Sequence, residues 1–339
     1  MTTVPTSAAP AGVIHDIGYK PYTGQRYGRA QIIRALYWYS LRSAFGIGRS
    51  VRARIIPSLV CVVMMLPAAI SIYKVATTGG DPVLAYDRYA YTMFLMAVVF
   101  IAVAAPEMVS RDLRHHTLPL YFSRPLRRFD YPLAKLLALA TAIILLEAVP
   151  LIVMYLGVIA SATSGSGIWN QTKQLAPGLL VALAYGVVLA PLTLLIASTT
   201  GRRAIATGAI AILFLAATAV SHAMEAVGTH TVFVQNGQTI DPNATPVPNG
   251  GPPGPGPGPG GPFGDGAVVK QTYDPIARQG GLVDPLRLIE GTRIWGLDAT
   301  DGQIPNPQNL GVVYGLELLV LTGLTTSGLF QRYRKVGVA

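Results

Sequence analysis

Six long apolar runs separate polar stretches along this 339-residue chain, and their spacing predicts helices. The runs are Ile55–Tyr73, Tyr89–Val109, Tyr131–Ile159, Leu175–Ser198, Ala204–Met224 and Leu310–Phe330. The first is about 28 Å long as a helix, close to the thickness of a bilayer's hydrocarbon core. Pro57 and Pro67 bend the first run, and Pro191 lies inside the fourth. The third is long enough to tilt or to project beyond the bilayer. Ahead of the first run, Arg29–Ala44 places Ile33, Leu36, Tyr37, Leu41 and Ala44 on one face at helical spacing. Gln31, Arg34 and Arg42 fall on the other face, with Trp38 among them. This predicts a basic amphipathic helix lying in the membrane interface. The pattern defines an all-α membrane protein with six transmembrane helices, preceded by the interfacial helix.

The polar connections divide the chain further. Residues 1–27 are a polar tail, 28–54 hold the interfacial helix, and 55–224 hold the first five spans. The turn Gly79-Gly80-Asp81-Pro82 joins the first two spans, and Ser161–Lys173 is read as a short polar loop. Residues 225–309 form a large outer loop between the fifth and sixth spans. Within it Thr231–Ile240 is expected as a hairpin turning at Asn236-Gly237. The Gly/Pro tract 249–266 is read as an extended spacer. Asp284-Pro285 is expected to start a short helix, with Asp as cap and Pro in the first turn, stopped at Gly291 and dipping into the outer headgroups. Residues 310–339 hold the sixth span and the C-terminus.

Composition adds weight to the membrane reading. The chain is 51% hydrophobic and 12% charged, about half the charge content usual for soluble domains. The net charge of +10 would suit a nucleic-acid binder, but the basic residues cluster at span ends, so no nucleic-acid partner is expected and membrane lipid is. Arg49, Arg52, Arg54, Arg111, Arg114, Arg124, Arg127, Arg128, Arg202, Arg203, Arg332, Arg334 and Lys335 all fall on one side. The other side carries only Lys74, Arg88, Lys173 and Arg293 near span ends. An even number of spans and this asymmetry put both termini in the cytoplasm of a multi-pass cell-membrane protein. The single cysteine, Cys61, excludes an intrachain disulfide or thiolate zinc site.

Candidate chemistry is sparse. There is no GxxxxGK[ST] loop, HExxH, GxSxG or CxxC, so neither a nucleotide site nor a familiar catalytic or metal motif is present. The neighbours His115 and His116 point different ways on a helix and are read as basic loop residues, with no metal site. His222 and Glu225, three apart, share a helix face. Two carboxylates lie inside spans, Glu147 and Glu317. Ionised and facing lipid, each would cost about 3 kcal/mol, so both are expected to face protein or water. They line a substrate path or else bond neighbouring helices. Gly311 and Gly315, and Ala204 and Gly208, are small-xxx-small pairs suited to close helix contact.

The most distinctive polar stretch is Ser110–Lys135, and its core is the loop 110–130. In it Leu118, Pro119, Leu120, Tyr121 and Phe122 make an apolar knob flanked by Arg114 and Arg124. An apolar knob on a water-facing loop calls for a cover, either headgroups or a soluble partner. The order of parts, together with Arg111-Asp112, Thr117-Leu118, Leu120, Pro125 and Lys135, resembles the ABC-2 type permeases, the membrane subunits of ABC exporters. The chain departs from that pattern at His116 and Ala134, where Gly is usual, and at Pro119, where an acidic residue is usual. The resemblance implies a permease that couples to a separate soluble ABC ATPase subunit through Arg114, Thr117, Leu118, Pro119, Leu120, Tyr121, Phe122 and Arg124. It also implies a second permease, as homodimer or heterodimer. This chain would carry no cofactor and no enzymatic activity, with ATP and Mg on the partner ATPase. The alternatives are a secondary transporter, whose internal repeat is not visible here, and a non-transporting membrane scaffold. A membrane-embedded aspartyl protease is disfavoured because none of the six runs contains an Asp.

Overall fold

The computed structural model describes residues 24, 28–115, 121, 126–161, 165–235, 238–240, 268–297 and 307–336. Ten helices and a three-stranded sheet are seen among them. Six helices are long and apolar enough to cross a membrane: α2 (Val51–Thr78), α4 (Phe94–Arg114), α5 (Asp130–Ala160), α6 (Gly165–Ser198), α7 (Arg203–Gly228) and α10 (Pro307–Val336). Each of the six expected runs lies within the region of one of these helices, apart from a turn at the start of the second. The coupling-loop residues Thr117, Leu118, Pro119, Leu120, Phe122 and Arg124, the spacer 249–266 and nearly all of the tail 1–27 lie outside the described residues.

The centre of the bundle is the pair α5 and α6, which run together along most of their length. Alanines explain the close approach: Ala134, Ala138 and Ala142 on α5, and Ala182, Ala190 and Ala197 on α6, are all fully buried. Without a hydrophobic drive between helices in lipid, packing of small residues is what holds such a pair. Helix α4 fills the space beside them with Phe100, Ile101, Ala104 and Ala105, and α7 closes over α4. Helices α2, α7 and α10 keep apolar faces on the outside, as lipid-facing helices do. The amphipathic helix α1 (Arg29–Ala44) matches its expected range and packs Leu36, Leu41 and Ala44 against α5 and α4, leaving Trp38 and Tyr39 exposed.

Three elements differ from the sequence expectation. The second run is broken: α3 (Tyr89–Thr92) is a separate turn, and α4 restarts after Met93. The break points the buried Tyr89 hydroxyl at the Met64 carbonyl of α2. Helix α6 starts at Gly165, inside the segment read as a polar loop. Two of its polar residues find partners within or beside the helix. The Thr172 hydroxyl donates to the Ile168 carbonyl at 2.8 Å and meets the Tyr155 hydroxyl at 2.9 Å, while Lys173 lies 5.3 Å over the Trp169 ring. In the outer segment the hairpin exists, as β1 (Thr229–Gln235) and β2 (Gln238–Ile240). A third strand, β3 (Val268–Tyr273), pairs with β1 on its other edge, giving the order β2-β1-β3.

After β3 the chain turns back toward the bundle. Helix α8 (Pro275–Gly280) packs on α7, and α9 (Pro285–Gly296) begins at Asp284. The Asp284 carboxylate caps α9 by accepting from the Leu286 amide at 2.9 Å, and it also accepts from Thr218 of α7 at 2.8 Å. Thr218 is ten residues before the end of α7, so Asp284 sits about 15 Å below the end of that helix. Segment 275–296 is therefore a helical hairpin packed among α6, α7 and α10. Helix α9 also runs through Gly291 instead of stopping there. A Cβ at Gly291 would lie 2.7 Å from the ring of the fully buried Tyr314 on α10, so the glycine permits contact and does not end the helix. The same holds at Gly311, against Trp295 of α9; of the expected pair, Gly315 meets nothing within 4 Å.

Candidate functional site

One end of the bundle gathers the first residue of α1, the starts of α2, α5 and α7, and the ends of α4, α6 and α10. Its charges tie these helix ends together. Glu107 on α4 is buried and forms ion pairs with Arg49, ahead of α2, and with Arg203 of α7 at 2.5 Å. Arg29 of α1 forks onto Asp130 of α5, with Nε to Oδ2 at 2.7 Å and Nη2 to Oδ1 at 2.5 Å. Lys135 was expected on the water-facing loop, but it is 2% exposed. Its ammonium donates to the Met108 carbonyl at 2.8 Å and lies 3.0 Å from Asp112 Oδ2. A lysine can sit this deep because a carboxylate and a carbonyl replace its water.

The coupling-loop segment joins this end at Tyr121. The half-buried Tyr121 ring packs on Tyr131 of α5 at 5.5 Å between centroids. Tyr131 packs in turn on Tyr333 of α10 at 5.2 Å, and its hydroxyl donates to Asp112 Oδ2 at 2.7 Å. Tyr121 is thereby connected to α5, α10 and α4 through one stack of rings and one carboxylate. Of the other coupling residues named from sequence, Arg114 is described, and it is exposed at the end of α4. His115 follows it, also exposed.

At mid-bundle Glu147 of α5 is 0% exposed, and neither carboxylate oxygen has a hydrogen-bond partner among the described residues. It lies within electrostatic range of the phenols of Tyr89 and Tyr185, and the Tyr185 hydroxyl also lacks a partner. Glu317 of α10 is partly buried. No hydrogen bond or ion pair links the two carboxylates among the described residues. Helix α10 packs chiefly on α6 and α9 and only slightly on α5.

The opposite end holds a charged network that the sequence reading did not anticipate. Arg287 of α9 is buried; its Nη2 donates to His222 Nδ1 at 2.8 Å, and its Nη1 lies 2.7 Å from Glu225 Oε2. His222 and Glu225 do share a face of α7, 3.7 Å apart, and Arg287 is what they face. Arg293 forks onto Glu290, with Nε to Oε2 at 2.9 Å and Nη2 to Oε1 at 2.7 Å, and also pairs with Asp87 ahead of α3. Burial pushes the Asp284 carboxyl above the ordinary range, offset in part by its bonds from Leu286 and Thr218. The signal was present in the sequence as two arginines six apart, with a glutamate between them, in an otherwise apolar helix. No group of three or more potential metal ligands is found among the described residues.

Six helices long and apolar enough to cross a membrane make this a multi-pass membrane protein. A comparison with known families matches residues 52–246 to the ABC-2 family transporter proteins, more than half of the chain. The chain belongs to that family, and it is a permease of an ABC transporter. A search of curated proteins returned no match.

Proposed function

We infer that the chain is the pathway-forming subunit of an ATP-driven exporter in the cell membrane, worked by a separate soluble ABC ATPase that holds ATP and Mg. In this reading both termini and the coupling loop are cytoplasmic, and a second permease, identical or different, completes the pathway. The loop docks through Leu118, Leu120 and Phe122, supported by Thr117 and Pro119 and flanked by Arg114 and Arg124. The observation that carries the reading is the seat of Tyr121 on Tyr131 and Tyr333, with Asp112 and Lys135 behind them. A push on the loop reaches three spans through rigid contacts, which is what conversion of ATPase closure into helix movement requires. Glu147 and Glu317 are assigned to the substrate path, exposed in turn as the spans separate.

The test is Tyr121→Ala. Removing a half-buried ring from such a stack costs roughly 1–2 kcal/mol of local packing, too little to unfold six spans. The variant is expected to insert normally but to lose ATPase co-purification, or to hydrolyse ATP without transport. Full binding and full coupling in a correctly inserted Tyr121→Ala protein would overturn the reading.

A further inference from the structure

Between the end of α4 and the start of α7 lies a cavity of about 1110 Å³ that shares only Arg114 with the coupling scheme. Arg114, Arg202 and Arg203 border one end of it with Gly201, and Leu113, Ala204, Thr207 and Gly208 line the rest. The side chains of Arg114 and Arg202 have no hydrogen bond or ion pair among the described residues, and Arg203 is 49% exposed beyond its pair with Glu107. The turn at Gly201 holds these arginines close together. A Cβ there would lie 3.5 Å from the backbone of Arg114. From this basic mouth the cavity climbs along α7 to Gly208, five residues into the helix and about 7.5 Å along its axis. At Gly208 an added Cβ would meet nothing within 4 Å among the described residues, so the small-xxx-small pair Ala204 and Gly208 packs on none of the described helices there.

We propose that this cavity is a binding site for an anionic phospholipid, with its phosphate among Arg114, Arg202 and Arg203 and an acyl chain along Leu113, Ala204 and Gly208. Two guanidiniums without a side-chain partner among the described residues, beside a third that is half exposed on Glu107, suit a phosphate, since arginine matches phosphate oxygens in a two-pronged geometry. Their place at a span end is the level of the headgroup phosphates, where basic clefts between helices take acidic lipids. A soluble protein does not fit the whole cavity, because its apolar arm runs beside a membrane-spanning helix. A second copy packed here about a two-fold axis would set these arginines against their own equivalents. A phospholipid matches both the charged and the apolar part.

The purified chain in neutral detergent is to be offered fluorescent phosphatidylglycerol and fluorescent phosphatidylcholine with the same acyl chains. Phosphatidylglycerol is expected to bind about tenfold more tightly, and raised salt should reduce the preference. Arg114→Ala with Arg202→Ala should remove the preference. Gly208→Leu should weaken phosphatidylglycerol binding with every charge intact, which separates the acyl arm from the basic mouth. Equal binding of the two lipids, or a preference that survives the double substitution, would overturn the proposal. So would inorganic phosphate displacing the lipid at millimolar concentration, which would mark a site for free phosphate. In a Cys61→Ala background, Gly208→Cys chains that cross-link to one another would assign the cleft to a second copy instead. None of these readings needs an ATPase, so they stand apart from the coupling test.

Discussion

Glu147 carries an unusual burden for a single residue. A buried carboxylate whose two oxygens have no partner among the described residues is a costly group, and replacing it with a neutral isostere removes the cost of ionising it. Glu147→Gln is expected to raise the melting temperature of the purified chain or leave it unchanged, and transport should fall if the carboxylate serves the substrate. A large drop in melting temperature would mean that the carboxylate bonds a neighbour and is structural. Lys135 shows the opposite situation, in which a buried charge is fully answered. From sequence it looked like one more basic residue of the loop, because nothing local reveals that Asp112 and the Met108 carbonyl converge on it from α4. Residue type was legible at both positions; the company each side chain keeps was not.

At the scale of elements, hydropathy was informative wherever lipid or core was the environment, and it failed where protein replaced water. The spans and the amphipathic α1 were readable because a bilayer imposes length and apolarity on each crossing independently. The extra turns of α6 were hidden by polar residues that satisfy one another above the apolar zone. The start of α9 was readable from Asp284-Pro285, but its burial was hidden because its charges meet α7 and the segment ahead of α3, which are distant in sequence. That burial makes α9 a sensitive element. Arg293→Ala leaves Glu290 and Asp87 without their cation, and stranding such a partner costs about 3–5 kcal/mol. The expected result is a markedly lower melting temperature, with much of the loss recovered when Glu290→Gln is added. A double variant no more stable than Arg293→Ala would show that the stranded Glu290 charge is not the source of the loss.

For the whole molecule, the asymmetry of positive charge remains the feature that sets orientation. Cysteines placed at Ser7 and Ala339, in a chain without Cys61, are expected to resist an impermeant thiol reagent in intact cells, while one at Asn249 should react. Labelling of either terminus in sealed cells would reverse the orientation or change the number of crossings. Of the candidate site, the sequence singled out Tyr121, but the ring stack it joins was not legible. Tyr131 and Tyr333 are separated by four spans' worth of chain and meet only in the fold.

The small sheet on the outer face has a consequence for the segment 241–267. Strands β2 and β3 flank β1 on opposite edges, with Ile240 opposite Phe233 and Val268 opposite the next residue, Val234. Chain leaving at 240 and returning at 268 therefore starts and finishes about 10 Å apart, two strand spacings across one ribbon. Whatever the length between those points, the hairpin α8–α9 and the six crossings receive the same geometry. A reporter or an epitope spliced in at 241–267 is therefore expected to leave the melting temperature of the helical bundle unchanged, as a plug of any shape leaves its socket.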